Sequence, residues 1–152
     1  MALDTFANLK TSIANYLNRD DLTSYIPDFI ALAEARHGRD LRLRIMENVG
    51  TSTATGGQNY IDLPTNFLEF RYVALNTSPK IVLRYMSPFE LTKNYGGVTS
   101  GEPIYQTIIG EKLYFGPTPD SSYSIEWAYY SKPTALSDDN TTNAILTNHP
   151  DL

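Results

Sequence analysis

The feature that most constrains this fold is an amphipathic stretch covering residues 22–44. Its apolar residues recur at intervals of three and four, the spacing of one side of a helix. They are Leu22, Ile26, Phe29, Ile30, Ala33 and Leu41. Ser24 is a suitable N-cap, and Pro27 then falls in the first turn, where a missing N–H is tolerated. We therefore expect one long helix with a buried face that needs partner helices.

The preceding residues supply such a partner. Asp4 can cap a first helix whose apolar residues repeat at the same intervals and which should end near Asn18. A short polar joint, residues 19–21, follows, and short joints favour antiparallel neighbours. Residues 1–46 are therefore predicted to form an antiparallel helical hairpin that is part of a helical bundle.

From Glu47 onward the apolar period falls to that of a β-strand, and threonine, glycine and aromatic residues dominate. The predicted strands cover residues 49–55, 58–63, 68–72, 80–85, 104–109, 112–115 and 123–129. Gly56-Gly57 is expected to join the first two as a hairpin, and Gly110-Glu111 the fifth and sixth. Residues 87–90 form a capping box that predicts a short helix to about Tyr95.

These patterns predict an α+β protein with three segments. Residues 1–46 form the helical lobe, and residues 47–137 form a β-rich, sandwich-like insert with one short helix. Residues 138–152 form a loop and the start of a C-terminal helix that returns to the bundle. Because a helical pattern opens at Ala144 near the end of the sequence, we expect further helices beyond Leu152.

Composition narrows the possible functions. The formal net charge of −5 argues against general nucleic-acid affinity. The chain has no cysteine, which excludes disulfides, thiol nucleophiles and thiolate metal sites. No apolar run reaches the roughly 18 residues that a bilayer-spanning helix requires. We therefore predict no membrane-spanning segment and no general nucleic-acid affinity.

Residues suited to catalysis are sparse. His37 and His149 lie far apart and match no metal-ligand spacing, and His37 is interpreted as a packed or interface residue. The adjacent carboxylates at 20–21 and 138–139 suit caps and turns better than a pair converging on a substrate. No nucleophile elbow or phosphate loop occurs. The prediction is no enzyme, no catalytic residue, no cofactor and no metal.

Two polar or aromatic features are candidates for an interface. One is the cationic cluster at the end of the predicted long helix, and the other is an aromatic pair in the last strand. The residues are Arg36, Arg39, Arg42, Arg44, Tyr129 and Tyr130. Helical steps of about 100° spread the first three arginines over one side, leaving Arg44 elsewhere. They are either a solvated helix end paired with Glu34, Asp40 and Glu47, or a contact to a neighbouring subunit or to DNA.

The aromatic residues of the last strand allow two interpretations. Trp127 and Tyr129 could form a platform that stacks on a sugar or a base. Alternation along the strand instead places Trp127 and Tyr129 on the same face as Tyr123 and Ile125, which favours the core of a sheet.

Residues 16–22, 26–36 and 39–42 resemble the N-terminal helices of the head-to-tail adaptor proteins of tailed bacteriophages. Other matching segments follow in the same order along the chain. They are residues 60–69, 101–103, 113–120, 129–130 and 133–137. The resemblance spans nearly the whole chain, and its motifs are structural rather than catalytic.

The resemblance implies a helical bundle with a β-rich insert and a homo-oligomeric ring of twelve copies. The implied partners are the portal protein, the tail or nozzle proteins and DNA that passes through the channel without sequence-specific binding. The implied location is the head–tail interface of a virion assembled in the host cytoplasm. The alternatives are an aromatic-rich β-sandwich that binds carbohydrate and, more distantly, an enzyme that uses Asp or Glu residues.

Overall fold

The computed structural model describes residues 3–19, 21–96 and 99–150, and it confirms the α+β class. The helices are α1 (Phe6–Leu17), α2 (Ile26–Asp40), α3 (Pro88–Tyr95) and α4 (Ala144–Asn148). The strands are β1 (Glu47–Ala54), β2 (Tyr60–Asp62), β3 (Phe67–Leu75), β4 (Ile81–Val82), β5 (Arg84–Tyr85), β6 (Ser100–Gly101), β7 (Tyr105–Ile109), β8 (Lys112–Gly116), β9 (Thr118–Pro119) and β10 (Tyr123–Ser131). Short 3-10 turns cover Thr23–Tyr25 and Arg44–Met46.

The chain divides into two compact units. The helical unit consists of the described residues up to Met46 and those from Lys132 onward, and the sandwich unit is Glu47–Ser131. The sandwich unit is therefore an insertion between two parts of the helical unit.

Helix α1 begins and ends close to the predicted positions. Its N-cap is Thr5, whose hydroxyl accepts the backbone N–H of Asn8 at 3.3 Å, whereas Asp4 accepts the side-chain amide of Asn8 at 2.7 Å. Asn18 ends the helix in the left-handed conformation, with φ of 48°. The end at Asn18 is confirmed, and the predicted cap is wrong by one residue because the hydroxyl of Thr5 makes the capping bond.

Helix α2 is shorter than predicted at both ends. Ser24 lies inside a 3-10 turn, and the helix begins at Ile26 without a side-chain cap. It ends at Asp40 because the backbone of Leu41 is extended. Beyond the helix, the Arg42 guanidinium donates to the carbonyl of Gly38 at 3.1 Å and to that of Leu41 at 2.7 Å. The predicted helix to residue 44 is therefore wrong, since a side chain outside the helix satisfies a carbonyl of its last turn.

The sandwich unit contains two four-stranded sheets. The first has the order β1-β10-β3-β4 and is antiparallel throughout, and the second has the order β2-β8-β7-β5. One apolar cluster of nine buried residues fills the core: Ala54, Ile61, Val73, Leu75, Leu83, Leu113, Phe115, Ile125 and Trp127. The cluster contains residues of both sheets, which is the arrangement of a β-sandwich.

The first predicted hairpin is wrong. Strands β1 and β2 do not pair with each other; β1 pairs with β10, and β2 pairs with β8 in the other sheet. Gly57 does adopt the expected positive φ of 82°. The turn between the strands is therefore correctly placed, but it carries the chain from one sheet to the other instead of folding it back.

Three further local predictions of this unit are confirmed, but the predicted strand 80–85 is wrong as a single element. The chain passes from one sheet to the other within it, so that β4 pairs with β3 and β5 pairs with β7. Strands β7 and β8 form an antiparallel hairpin around Gly110, which has φ of 63°. Helix α3 starts at the Ser87 cap, whose hydroxyl accepts the Glu90 backbone N–H at 3.3 Å. Strand β10 lies between β1 and β3 at the centre of its sheet.

Candidate interaction surface

The exposed end of α2 carries two of the predicted interface cations. Arg36 lies 3.4 Å from a carboxylate oxygen of Asp40, and Arg39 lies 3.7 Å from the other oxygen of the same carboxylate. Both guanidiniums are about three-quarters exposed, so these pairs stabilise the helix little. One carboxylate shared between two arginines leaves this helix end locally cationic.

The other two arginines have different positions. Arg42 follows the helix, and its guanidinium is used in capping α2, so it does not continue the face of Arg36 and Arg39. Arg44 is exposed in the following 3-10 turn. All four cations belong to the helical unit, but helical geometry relates only Arg36 and Arg39.

Tyr129 and Tyr130 point to opposite faces of their sheet. The Tyr129 ring stacks on Phe67 at a centroid distance of 6.0 Å and packs against the core cluster. The Tyr130 hydroxyl instead accepts a hydrogen bond from Arg71 at 3.0 Å, and Arg71 also lies 3.4 Å from a carboxylate oxygen of Glu47. Of the pair, Tyr130 belongs to the polar outer face.

The outer face also holds a three-residue polar network. One Glu126 carboxylate oxygen accepts bonds from Lys80 at 2.6 Å and from the Tyr72 hydroxyl at 2.8 Å. The hydrogen bond from Lys80, followed by that from Tyr72, lowers the pKa of Glu126 below its usual range. The same bond to Glu126 raises the pKa of Lys80. The network joins β10 and β3 to the residue that precedes β4.

The alternative of a stacking platform for a sugar or base loses its main residue. Trp127 is only 4% exposed and packs against Phe70 with the ring centroids 5.8 Å apart. Its indole nitrogen lies over Gly50, where an added Cβ would be only 2.6 Å away. The Trp127 ring is therefore unavailable to a ligand, and the interpretation of this strand face as sheet core is confirmed.

An apolar groove runs through the helical unit. It encloses about 380 Å³ and lies between α1, α2 and the C-terminal segment 132–150. Apolar side chains of all three parts line it, including Ile13, Phe29, Leu136, Ile145 and Leu146. Phe29 remains 47% exposed, and the neighbouring Leu32 is 69% exposed. The face of α2 that should be fully buried is therefore only partly covered within this unit.

Hydrogen bonds attach the C-terminal segment to the two helices. The Glu34 carboxylate accepts the backbone N–H of Leu136, with N–O distances of 3.1 and 3.2 Å, and the side-chain amide of Asn143 at 2.9 Å. Asn143 also caps α4 by accepting the Leu146 N–H at 2.9 Å. On α1, Lys10 lies 2.8 Å from Asp138. Glu34 thus joins α2 to the returning chain instead of pairing with an arginine.

Sequence reasoning missed this groove because its walls are distant in the chain. His37 and His149, which the sequence separates widely, both line it. The N-cap position of Asn143 before an apolar run was a local signal for α4. No group of three His, Asp or Glu residues suited to a metal occurs within residues 3–19, 21–96 and 99–150.

No described helix has both the length and the apolar character needed to cross a membrane. The exposed features are a cationic helix end, a groove and a polar sheet face. Exposed surfaces of these kinds are suited to contacts with other macromolecules, which is the class of interaction protein.

The comparison with known families specifies that class. The chain matches the family described as SU10 adaptor protein over residues 4–152. It therefore belongs to the SU10 adaptor protein family, which identifies it as a head–tail adaptor of a tailed bacteriophage. This is a family of structural adaptors and not of enzymes. An adaptor of this kind is located at the head–tail region of the virion. No curated protein sequence matches the chain.

Proposed function

We propose that this adaptor forms a closed homo-oligomeric ring of twelve copies that joins the portal to the tail or nozzle proteins and lets DNA pass. The family match over residues 4–152 carries the proposal. Rings of identical subunits use heterologous contacts, in which two different surfaces of each copy meet. Such a subunit needs separate exposed surfaces for its neighbours and for the proteins above and below it.

Charge supports the channel function. DNA binding draws its affinity from clustered cations that displace counterions, so a protein with net charge −5 binds a passing duplex weakly. DNA that slides through a channel requires such weak binding.

The cationic end of α2 is the local exception to the negative charge, and we assign Arg36, Arg39 and Arg44 to a contact with carboxylates of a neighbouring protein. Tyr130 is assigned to a second contact on the sandwich unit. Arg42 supports the first contact by capping α2, and Tyr129 supports the second by packing against the core of the sandwich unit.

Assembly is the direct test of this proposal. The purified chain, alone and co-expressed with the portal protein of the same phage, should give a cyclic oligomer in native mass spectrometry and a ring with a central hole in electron microscopy. A mass corresponding to twelve copies would support the copy number. A chain that stays monomeric under both conditions would contradict the proposal.

The arginine contact has its own test. Arg36→Glu with Arg39→Glu should abolish or weaken assembly while the circular dichroism of the free chain stays unchanged, because both side chains are exposed. Arg42 is left intact because it caps α2. Lys93→Glu with Lys112→Glu is the control with the same change in charge on the sandwich unit. Equal loss of assembly in both double variants would argue for a general charge effect and against a contact at α2.

A further inference from the structure

Strand β1 is a long unprotected edge of the first sheet. Its eight residues pair with β10 on one side, and no strand within residues 3–19, 21–96 and 99–150 pairs with the other side. Edge strands are usually protected by proline, lysine or short length. Strand β1 has none of these, and its only charge is Glu47 at the first position. Val49 is 68% exposed. The strand is therefore suited to accept a further strand.

Strand β4 is the opposite edge of the same sheet. It has two residues, Ile81 at 39% and Val82 at 60% exposure. Val82 pairs with Ala74, which pairs with Glu126, so Val82 lies on the polar outer face. Val49 lies on that face as well, because it pairs with Ala128. Each edge thus exposes one valine on the same side of the sheet.

The strand directions favour joining these two edges. Neighbouring strands alternate in direction from β1 through β10 and β3 to β4. If a second copy continues the sheet in the same orientation, its β4 runs antiparallel to β1 of the first copy. The junction therefore repeats the pairing already used inside the sheet. It joins two different surfaces, which is the type of contact that closes a ring.

One register matches side chains across the junction. With Val82 opposite Val49, antiparallel pairing places Ile81 opposite Gly50. Gly50 has no side chain, and the Trp127 indole lies in the space that one would occupy, so Ile81 faces an apolar ring across the junction. A direct cross-strand pair of β-branched residues, such as Val82 with Val49, stabilises a sheet.

We propose that β1 of each copy binds the β4 edge of its neighbour in this register, so that the first sheet continues from one subunit to the next. The inference rests on the proposed ring and specifies one of its contacts. The occupant of the β1 edge is thus a second copy of this chain.

Disulfide trapping tests the register directly because the chain has no cysteine of its own. Directly opposite residues have Cα atoms about 4.5–5.5 Å apart, within the range that a disulfide spans. In one copy the two positions lie on strands separated by about three strand spacings, roughly 14 Å, so they cannot bond to each other. Oxidised Val49→Cys with Val82→Cys should give a ladder of covalent oligomers that a thiol reductant reverses.

Two controls accompany the trap. Val82→Cys with Ile109→Cys keeps one edge cysteine and moves the other to an exposed position of the second sheet, and it should give no ladder. Val49→Lys places a charge at the edge and should reduce the fraction of ring by at least tenfold, whereas Ile109→Lys should not. Trp127 fluorescence verifies that each variant is folded.

The outcomes separate this inference from the proposed function. A ladder specific to the 49–82 pair, with loss of rings in Val49→Lys, supports the edge contact. Wild-type rings without a ladder, or covalent dimers from Val49→Cys alone, would overturn the contact and leave the ring intact. A wild type without rings, alone or with the portal protein, overturns both.

Discussion

The two units of this protein are stabilised in different ways. The sandwich unit has a closed core of nine buried residues supplied by two sheets. The helical unit has a smaller cluster of three buried residues, Phe6, Ile26 and Ile30, and beside it an open apolar groove. Met46, Ile145 and Leu146 are also buried in this unit. Its C-terminal segment is attached both by the packing of Leu136, Ile145 and Leu146 and by hydrogen bonds to Glu34.

This difference indicates a division of roles. Apolar burial does not depend on direction, and a closed core changes shape only at a high energetic cost. Segments with a small apolar core beside an open groove can separate and repack at lower cost, which suits a surface that adapts to a partner. We therefore expect the sandwich unit to act as a rigid part and the helical unit to be the adaptable one.

The largest predicted effect tests the closed core. Phe115→Ala removes a ring that is 1% exposed and should lower the free energy of unfolding by about 3–5 kcal/mol. Trp127 is the only tryptophan, so its fluorescence reports the sandwich unit, while circular dichroism at 222 nm reports mainly the helices. The fluorescence transition should shift to lower denaturant while the helical transition stays in place. Equal shifts in both signals would show that the units unfold together, which would contradict their separate stabilisation.

The second effect tests the hydrogen-bonded attachment. Glu34→Ala leaves the Leu136 N–H and the Asn143 amide without their acceptor and should cost the helical unit about 1–3 kcal/mol. Faster amide hydrogen exchange in α4 and residues 132–143 would report this loss. The control is Glu34→Gln, whose amide oxygen can accept one of these bonds and should restore part of the protection. Unchanged exchange in Glu34→Ala would mean that apolar packing alone holds the segment.

A smaller effect measures how tightly the sandwich is packed at its edge. Gly50→Ala would place a Cβ 2.6 Å from the Trp127 indole nitrogen and should destabilise this unit by about 1–2 kcal/mol. The tryptophan emission should shift as the ring moves. At Gly101 an added Cβ meets only Pro117 at 3.8 Å, so Gly101→Ala should change little. Equal stability of the two variants would contradict the close approach at Gly50.

The smallest effect concerns pH. The hydrogen bonds from Lys80 and Tyr72 lower the pKa of Glu126 in the folded chain below its ordinary value of 4.5. The unfolded chain therefore binds the proton more readily, so this contribution to stability is present above about pH 4.5 and disappears as the pH falls through the folded pKa. Glu126→Gln should flatten that part of the stability profile, and Glu111→Gln at the exposed hairpin turn should not. Identical acid profiles for both variants would argue against the network.

The sequence predicted the elements whose signals are local. The Ser87 cap, the glycine turn between β7 and β8 and the alternation of β10 each depend on neighbouring residues, and all three are confirmed. The pairing of β1 was mispredicted because Gly56-Gly57 specifies a turn without specifying which strand lies beside it. Partner choice in a sheet depends on contacts distant in the chain.

The candidate surface was predictable only in part. The cations of α2 were visible as a cluster, but the capping function of Arg42 depends on where the helix ends. One of the two interpretations of the arginine cluster paired Glu34 with a nearby arginine, whereas its hydrogen-bond partners lie 102 and 109 residues away. Helical spacing placed Glu34 on the correct helix. It could not show that the returning segment brings N–H donors to the Glu34 carboxylate.

The pairing of Glu47 with Tyr130 brings the entrance and the exit of the inserted unit to adjacent positions in one ladder. An insert whose ends adjoin can be replaced by another fold, or by a short loop, without stretching the chain that receives it. The helical unit could therefore serve as a constant scaffold during evolution while recombination exchanged the module that it carries. The same arrangement offers engineers a site for grafting a foreign domain.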